Sequence, residues 1–146
     1  MERVWRAEVE IPASRDAVWA VLTDFPAYPA WNPFTREVRC DGTIGSPVRM
    51  KVDLGWVGVT RQKEILRELA PYRIVWTMEV GADALIGAKR TQELTELPGG
   101  GTRYVTTDRI FGLFSPVVGL LFNGALTAGF NGMAAGLAAE VQRRAG

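Results

Sequence analysis

The chain has 146 residues, 47% of them hydrophobic, with 17 Lys plus Arg against 16 Asp plus Glu and a formal charge of +1. That is one domain's length, enough to bury a core without a metal or disulfide, and the charge balance argues against an electrostatic nucleic-acid binder. There is no histidine and only one cysteine, Cys40. A Ser-His-Asp or Cys-His triad, a His-ligated metal, a thiolate zinc cluster and an intrachain disulfide are therefore excluded, and no metal or cofactor is expected.

In chain order, Trp5, Ala7, Val9 and Ile11 alternate with Arg6, Glu8 and Glu10, the period of a half-buried strand that Pro12 stops. Ser14 is a helix N-cap with Asp16 in the first turn, and Val18, Val21, Leu22 and Phe25 make one apolar stripe. Pro26, Pro29 and Pro33 then break the chain into a turn-rich piece carrying Tyr28, Trp31 and Phe34.

From about residue 36 to 111 the pattern is β. Val48, Met50, Val52 and Leu54 alternate with charged residues, Gly55–Gly58 forms a hairpin connection, and the next strand runs from Val59 towards Leu69. Ile74, Trp76 and Met78 alternate in the strand after Pro71, and Pro98–Gly101 turns a last hairpin between strands near 84–97 and 102–111. Short connections make these strands antiparallel. Cys40 reads as a small hydrophobe rather than a nucleophile.

Ser115-Pro116 predicts the start of a long helix, with Ser115 as N-cap and Pro116 in the first turn. Val118, Phe122, Leu126, Phe130, Met133, Leu137 and Val141 recur every three or four residues along it, and to about Arg144 it would be roughly 43 Å long. Ile110 to Ala139 is a run of 30 residues without a charge, which meets the length test for a membrane span, but it contains six glycines, Ser115, Pro116 and two asparagines. A helix buried in a soluble protein is expected, not a stable span. The first residues hold no apolar run of signal-peptide length, so the expected location is the cytoplasm. The whole of 1–146 reads as a single α+β domain, a curved antiparallel sheet of six or seven strands with a long helix across it.

The residues Ile11-Pro12-Ala13, Val18-Trp19, Leu22-Thr23-Asp24-Phe25, Tyr28-Pro29 and Trp31-Asn32-Pro33-Phe34, with Gly100–Arg103 and Phe111-Gly112, carry a resemblance. The chain resembles the START/Bet v 1-like (SRPBCC) superfamily, in its small bacterial polyketide cyclase/dehydrase-like branch, over essentially its whole length. The resemblance implies a helix-grip fold, in which the sheet wraps the last helix around a deep, largely apolar cavity. It is weak for reaction, because this fold hosts carriers and cyclases alike.

The residue pattern supports a cavity independently, with Trp76, Met78, Tyr104, Phe122, Leu126 and Phe130 facing inward and Trp56 bordering the opening. Trp31, in the Trp31-Asn32-Pro33 corner, is a further candidate wall. If Tyr104 and Ile110 face in, so do Thr106 and Asp108. Opposite them stand either Arg90 and Gln92 or Lys89, Thr91 and Glu93, depending on one residue at the glycine turn. The first register is preferred, since it turns Leu94 inward beside Tyr104 and sets Arg90 opposite Asp108. Arg61 and Lys63 share the parity of Val59 and Ile65, so one of them is expected at the cavity mouth.

Three functions compete. The first is binding of a small hydrophobic, ring-containing or lipid-like molecule. The second is a polyketide cyclase, aromatase or dehydratase with Asp108 as acid/base and Arg90 polarising a carbonyl. The third is a membrane-associated lipid or quinone handler, suggested by the uncharged C-terminal third.

Overall fold

The computed structural model describes residues 2–81 and 85–146. Seven strands form one antiparallel sheet: β1 (Glu2–Ile11), β2 (Thr35–Arg39), β3 (Pro47–Asp53), β4 (Val59–Ala70), β5 (Arg73–Val80), β6 (Ile86–Glu96) and β7 (Thr102–Phe111), in the spatial order β1-β7-β6-β5-β4-β3-β2. Two helices complete the fold, α1 (Arg15–Leu22) and the 31-residue α2 (Ser115–Ala145), with short 3-10 turns at Phe25–Ala30 and Gly55–Val57. The expected start of the sixth strand at residue 84 lies outside the described residues.

Local chemistry explains the boundaries. The Ser14 hydroxyl accepts from the Ala17 amide at 3.1 Å, capping α1 as its sequence predicts. At the other helix the expectation is corrected: Phe114 occupies the cap, while Ser115 and Pro116 are the first two helical residues and Ser115 is buried. Proline needs no amide partner in a first turn, so the start holds without a side-chain cap. Cys40 is half-buried and packs against the core.

The glycine-turn register is the preferred one, with Leu94 opposite Tyr104 and Arg90 opposite Asp108. The turn closes through the Leu97 amide on the Gly101 carbonyl at 2.8 Å.

One face of α2 lies against the concave side of the sheet. Its approach is close: a Cβ at Gly136 would stand 2.3 Å from the Trp31 carbonyl oxygen, and one at Gly129 would stand 2.1 Å from the Phe34 ring. Small residues at these two places let the helix backbone meet the 31–34 corner. That corner is held by Asn32, whose Oδ1 accepts from the Phe34 and Thr35 amides at 3.0 and 2.9 Å. The last turn is tied down by Glu140, which accepts from Arg143 and Arg144, while Arg144 also reaches Asp24 at 3.1 Å.

By length and composition α2 could cross a bilayer, yet its inner stripe (Leu126, Phe130, Met133, Leu137, Val141) is buried against the rest of the chain. The expectation of a buried helix holds for that stripe only. Val117, Leu120 and Leu121, in the first half of α2, are exposed.

Candidate functional site

A cavity of about 170 Å³ lies between α2 and the sheet. Its apolar wall comes from Phe34, Met50, Val52, Leu54, Met78, Ile86, Ala88 and Ile110 and from Val118, Phe122, Leu126 and Phe130 of α2. Four polar side chains enter it: Gln62, Glu64, Arg90 and Asp108. An apolar cleft with a few convergent polar groups is the usual make-up of a small-molecule site.

Two of the polar groups are buried carboxyls. Asp108 on β7 is pushed up to about 6 by burial, partly offset by the positive charge of Arg90. Glu64 on β4 is pushed up to about 8, first by burial and then by the negative charge of Asp108, again against Arg90. Glu64 is thus a neutral acid at pH 7, and its Oε1 is buried with no hydrogen-bond partner.

Arg90 stands between them but is already engaged. Its Nε donates to Thr106 Oγ1 and its Nη1 to Thr35 Oγ1, both at 3.2 Å, while Nη2 points at Met133 Sδ, 2.7 Å away. Its guanidinium carbon lies 4.9 Å from the centre of the Phe130 ring, within cation–π range. Arg90 and Asp108 are cross-strand neighbours, yet they form no ion pair. The contacts to Thr106, Thr35 and Met133 engage three of the five guanidinium N–H groups of Arg90.

The residues expected at the cavity fall into three groups. Met78, Arg90, Asp108, Phe122, Leu126 and Phe130 line it. Trp31, Trp76, Gln92, Tyr104 and Thr106 are buried but belong to the packed core beside it. Trp76 packs against Phe25 with ring centres 6.5 Å apart, and Tyr28 against Trp31 at 4.8 Å. The Tyr104 hydroxyl donates to Gln92 Oε1 at 2.6 Å, which satisfies that oxygen inside the core and leaves the Gln92 Nε2 without a partner. Two candidates lie outside. Trp56 is 71% exposed and stacks on Phe122, at the mouth but not in the wall. Arg61 is exposed on the outer face of the sheet.

Arg61 is misplaced because the parity of β4 is the reverse of the expected one. Thr60, Gln62, Glu64 and Leu66 face inward, and a register shift between Leu66 and Glu68 changes the pattern beyond. Glu64 was missed for the same reason. A signal for it existed: directly opposed antiparallel residues share a face, and Glu64 pairs with the inward Val48, as Gln62 pairs with Met50. Among the described residues no cluster of three or more acidic, Cys or His side chains is arranged to hold a metal ion.

Comparison with known proteins agrees with this architecture. An aromatase/cyclase from a Streptomyces species superposes with a TM-score of 0.76 at 20% identity, covering 100% of this chain and 97% of its own. A START superfamily protein from Mycobacterium smegmatis gives 0.72 at 18% identity over 97% of this chain and 98% of its own. A Thermus thermophilus protein gives 0.75 at 16% identity over 99% and 100%. At such identities the likeness shows the helix-grip, Bet v 1-like fold and nothing finer. No curated protein matches the chain. Residues 3–146 match the family described as polyketide cyclase / dehydrase and lipid transport, and the chain belongs to that family.

Proposed function

We propose that the protein binds a small hydrophobic molecule in the cavity between α2 and the sheet, with a polar end of the ligand against Glu64 and Asp108. The observation that carries this reading is the buried, unpartnered Oε1 of Glu64 in a largely apolar wall that also holds Gln62, Arg90 and Asp108. A buried polar atom without a partner costs roughly 1–3 kcal/mol, so a ligand group that hydrogen-bonds to it recovers that cost on binding. Size sets the class. An apolar cavity of about 150 Å³ accepts benzene, so about 170 Å³ suits a single ring or a short branched chain. Native mass spectrometry of protein purified from its own host should show a retained small molecule. Leu126→Trp, which fills the cavity from α2, should abolish retention while leaving the fold intact. Retention unaffected by Leu126→Trp would remove the reading.

A second reading, acid–base chemistry on the bound molecule, is favoured by one observation: the two carboxyls have environments that hold them at different protonation states. At pH 7 Glu64 carries a proton and Asp108 is largely ionised. On a β-hydroxy ketone Asp108 would take the proton next to the carbonyl, Glu64 would give its proton to the departing hydroxyl, and water would leave. Proton transfer between the two carboxyls, by way of solvent, restores the starting state. Glu64→Gln separates the readings: a carrier keeps its ligand, whereas a dehydratase keeps binding and loses turnover.

A further inference from the structure

Among the described residues twelve large apolar side chains are exposed, and ten of them lie at one end of the molecule. They come from the Gly55–Val57 turn and the start of β4 (Trp56, Val57, Val59), from the end of β5 and the approach to β6 (Val80, Leu85), and from the chain between β7 and the second turn of α2. In that last stretch Leu113 is 73% exposed and Leu120 83%, with Phe114, Val117 and Leu121 beside them. The antiparallel pairing brings these segments together, since Val80 is opposite Ile86 and Gly87 is opposite Phe111. Across the mouth, the Trp56 ring lies flat on Phe122, 5.7 Å away, and its Nε1 donates to the Leu121 carbonyl at 3.0 Å. A patch of this extent is larger than the scattered apolar residues of an ordinary surface, and it implies an occupant.

The charges beside it say which. Arg61 and Lys63 follow Val59 on the outer face of β4, with Arg49 paired beside Lys63. On the other side Arg3 lies along Gly119, so closely that a Cβ there would be 2.4 Å from its Cδ. Among the described residues none of these four cations has an ion-pair partner, while of the nearby acids Glu2 and Asp53 are already held by Arg109 and Arg36 and Glu79, exposed beside Val80, carries no ion pair. A second copy seated on the patch would bring four unpaired cations towards four unpaired cations, with one unpaired acid among the described residues, Glu79, on each side to offset them. An anionic surface would neutralise them.

We propose that this end of the molecule docks on an anionic lipid surface, with the outer face of the first half of α2 and the Gly55–Val57 turn among the headgroups. The arrangement is that of an interfacial helix, apolar on one side and flanked by basic residues. It is docking and not a span, because the opposite face of the same helix packs on β1 and closes the cavity. The consequence is directional. Val118, Phe122 and Leu54 belong both to the cavity wall and to this end, so the mouth faces the acyl layer, and a hydrophobic ligand can pass between cavity and membrane without crossing water.

Co-sedimentation with phosphatidylglycerol vesicles tests this, beside phosphatidylcholine vesicles and sedimentation equilibrium of the protein alone. Binding is expected to phosphatidylglycerol, to weaken as salt rises, and to be at least tenfold poorer to phosphatidylcholine. Leu113→Ser and Leu120→Ser remove exposed side chains, leave the melting temperature unchanged, and should each weaken binding by roughly tenfold. Arg61→Gln and Lys63→Gln should cost about fivefold each at low salt. Absence of binding to phosphatidylglycerol, equal binding to both lipids, or full binding by the Leu113→Ser/Leu120→Ser variant would overturn the proposal. So would self-association of the wild type that this double variant loses, which would assign the patch to a second copy.

Discussion

A row of cross-strand neighbours, Leu66, Trp76, Arg90, Asp108 and Trp5, runs across the sheet and divides the space beneath α2 into two unlike regions. On one side the strands offer Ile74, Gln92, Leu94, Tyr104 and Thr106, the helix offers Met133, Leu137 and Val141, and the segment with Phe25, Tyr28 and Trp31 plugs what is left. On the other side the same strands offer Met50, Gln62, Glu64, Met78 and Ile110, the helix offers Phe122 and Leu126, and no segment fills the gap. The polar residues of both regions are only partly satisfied and differ in kind: the packed side leaves the side-chain N–H groups of Gln92, Trp31 and Trp76 without partners, whereas the open side presents carboxyls. In the packed region Tyr104 bonds Gln92, and Arg90 bonds Thr106 and Thr35. In the open region the two carboxyls face the cavity, one of them with an unpartnered oxygen. Stability is concentrated on one side of the row and chemistry on the other, with Arg90 anchored in the first and charging the second.

The sharpest way to break this comparison is to truncate one large aromatic on each side. Trp76 is fully buried and surrounded by packed side chains, so Trp76→Ala should cost about 3–5 kcal/mol, read as a large fall in denaturation midpoint. Phe122 is half-buried, its ring already facing empty space, and Phe122→Ala should cost about 1 kcal/mol while enlarging the mouth. Equal losses at the two positions would mean that the open region is packed in solution.

Next in size is the pH dependence carried by Glu64. Its carboxyl keeps its proton in the folded chain up to about pH 8, whereas in the unfolded chain it loses the proton near its ordinary 4.5. The folded state therefore binds more protons across that window, and stability falls as pH rises, by up to about 1.4 kcal/mol per pH unit. Asp108 acts in the same direction but only up to about pH 6. Between about pH 6 and about pH 8 the loss is thus owed mainly to Glu64 and should reach roughly 2–3 kcal/mol. Glu64→Gln should flatten the profile there and be more stable than the wild type at the alkaline end. A wild-type profile already flat in this window would place Glu64 in contact with water.

How much of this could be read from the chain differs between the two regions for a physical reason. Alternation in β1, β3 and β7, the Ser14 cap and the glycine turn at 98–101 are local signals, and they lead to the seven-stranded sheet and to Arg90 opposite Asp108. Trp76, Tyr104 and Phe130 are equally apolar in sequence, so nothing local says which of them meets a packed neighbour and which meets a void. That depends on where the 25–31 segment lies, which is a long-range fact. Glu64 was hidden by parity: Ile65 and Leu66 are adjacent apolar residues, either of which can set the inward face, and only pairing with Val48 decides between them. Parity with Val59 and Ile65 puts Arg61 on the inward face and Glu64 on the outer one, and the structure has them the other way round.

The smallest effect concerns Arg90 and Asp108, and it tests whether the dividing row is itself a link between the regions. Direct pairing inside the cavity would make each charge depend on the other, and losing one partner would cost roughly 3–5 kcal/mol. The observed hydrogen bonds argue otherwise. Arg90 directs three of its five donors at Thr106, Thr35 and Met133 and none at Asp108, so Asp108 feels only its charge, and that charge does not overcome the effect of burial. Arg90→Met should therefore cost about 1–3 kcal/mol through lost hydrogen bonds in the packed region. Asp108→Asn should cost little near neutral pH, because it removes a buried charge that has no bonded partner. A double-mutant cycle of the two, followed by chemical denaturation, should give a coupling below about 1 kcal/mol, the size left when charges interact without a shared hydrogen bond. A coupling of about 3 kcal/mol would mean that Arg90 turns from the threonines to Asp108 in solution. Arg90 would then belong to the open region, free to engage a ligand, and the boundary between packing and chemistry would lie one residue pair deeper in the sheet.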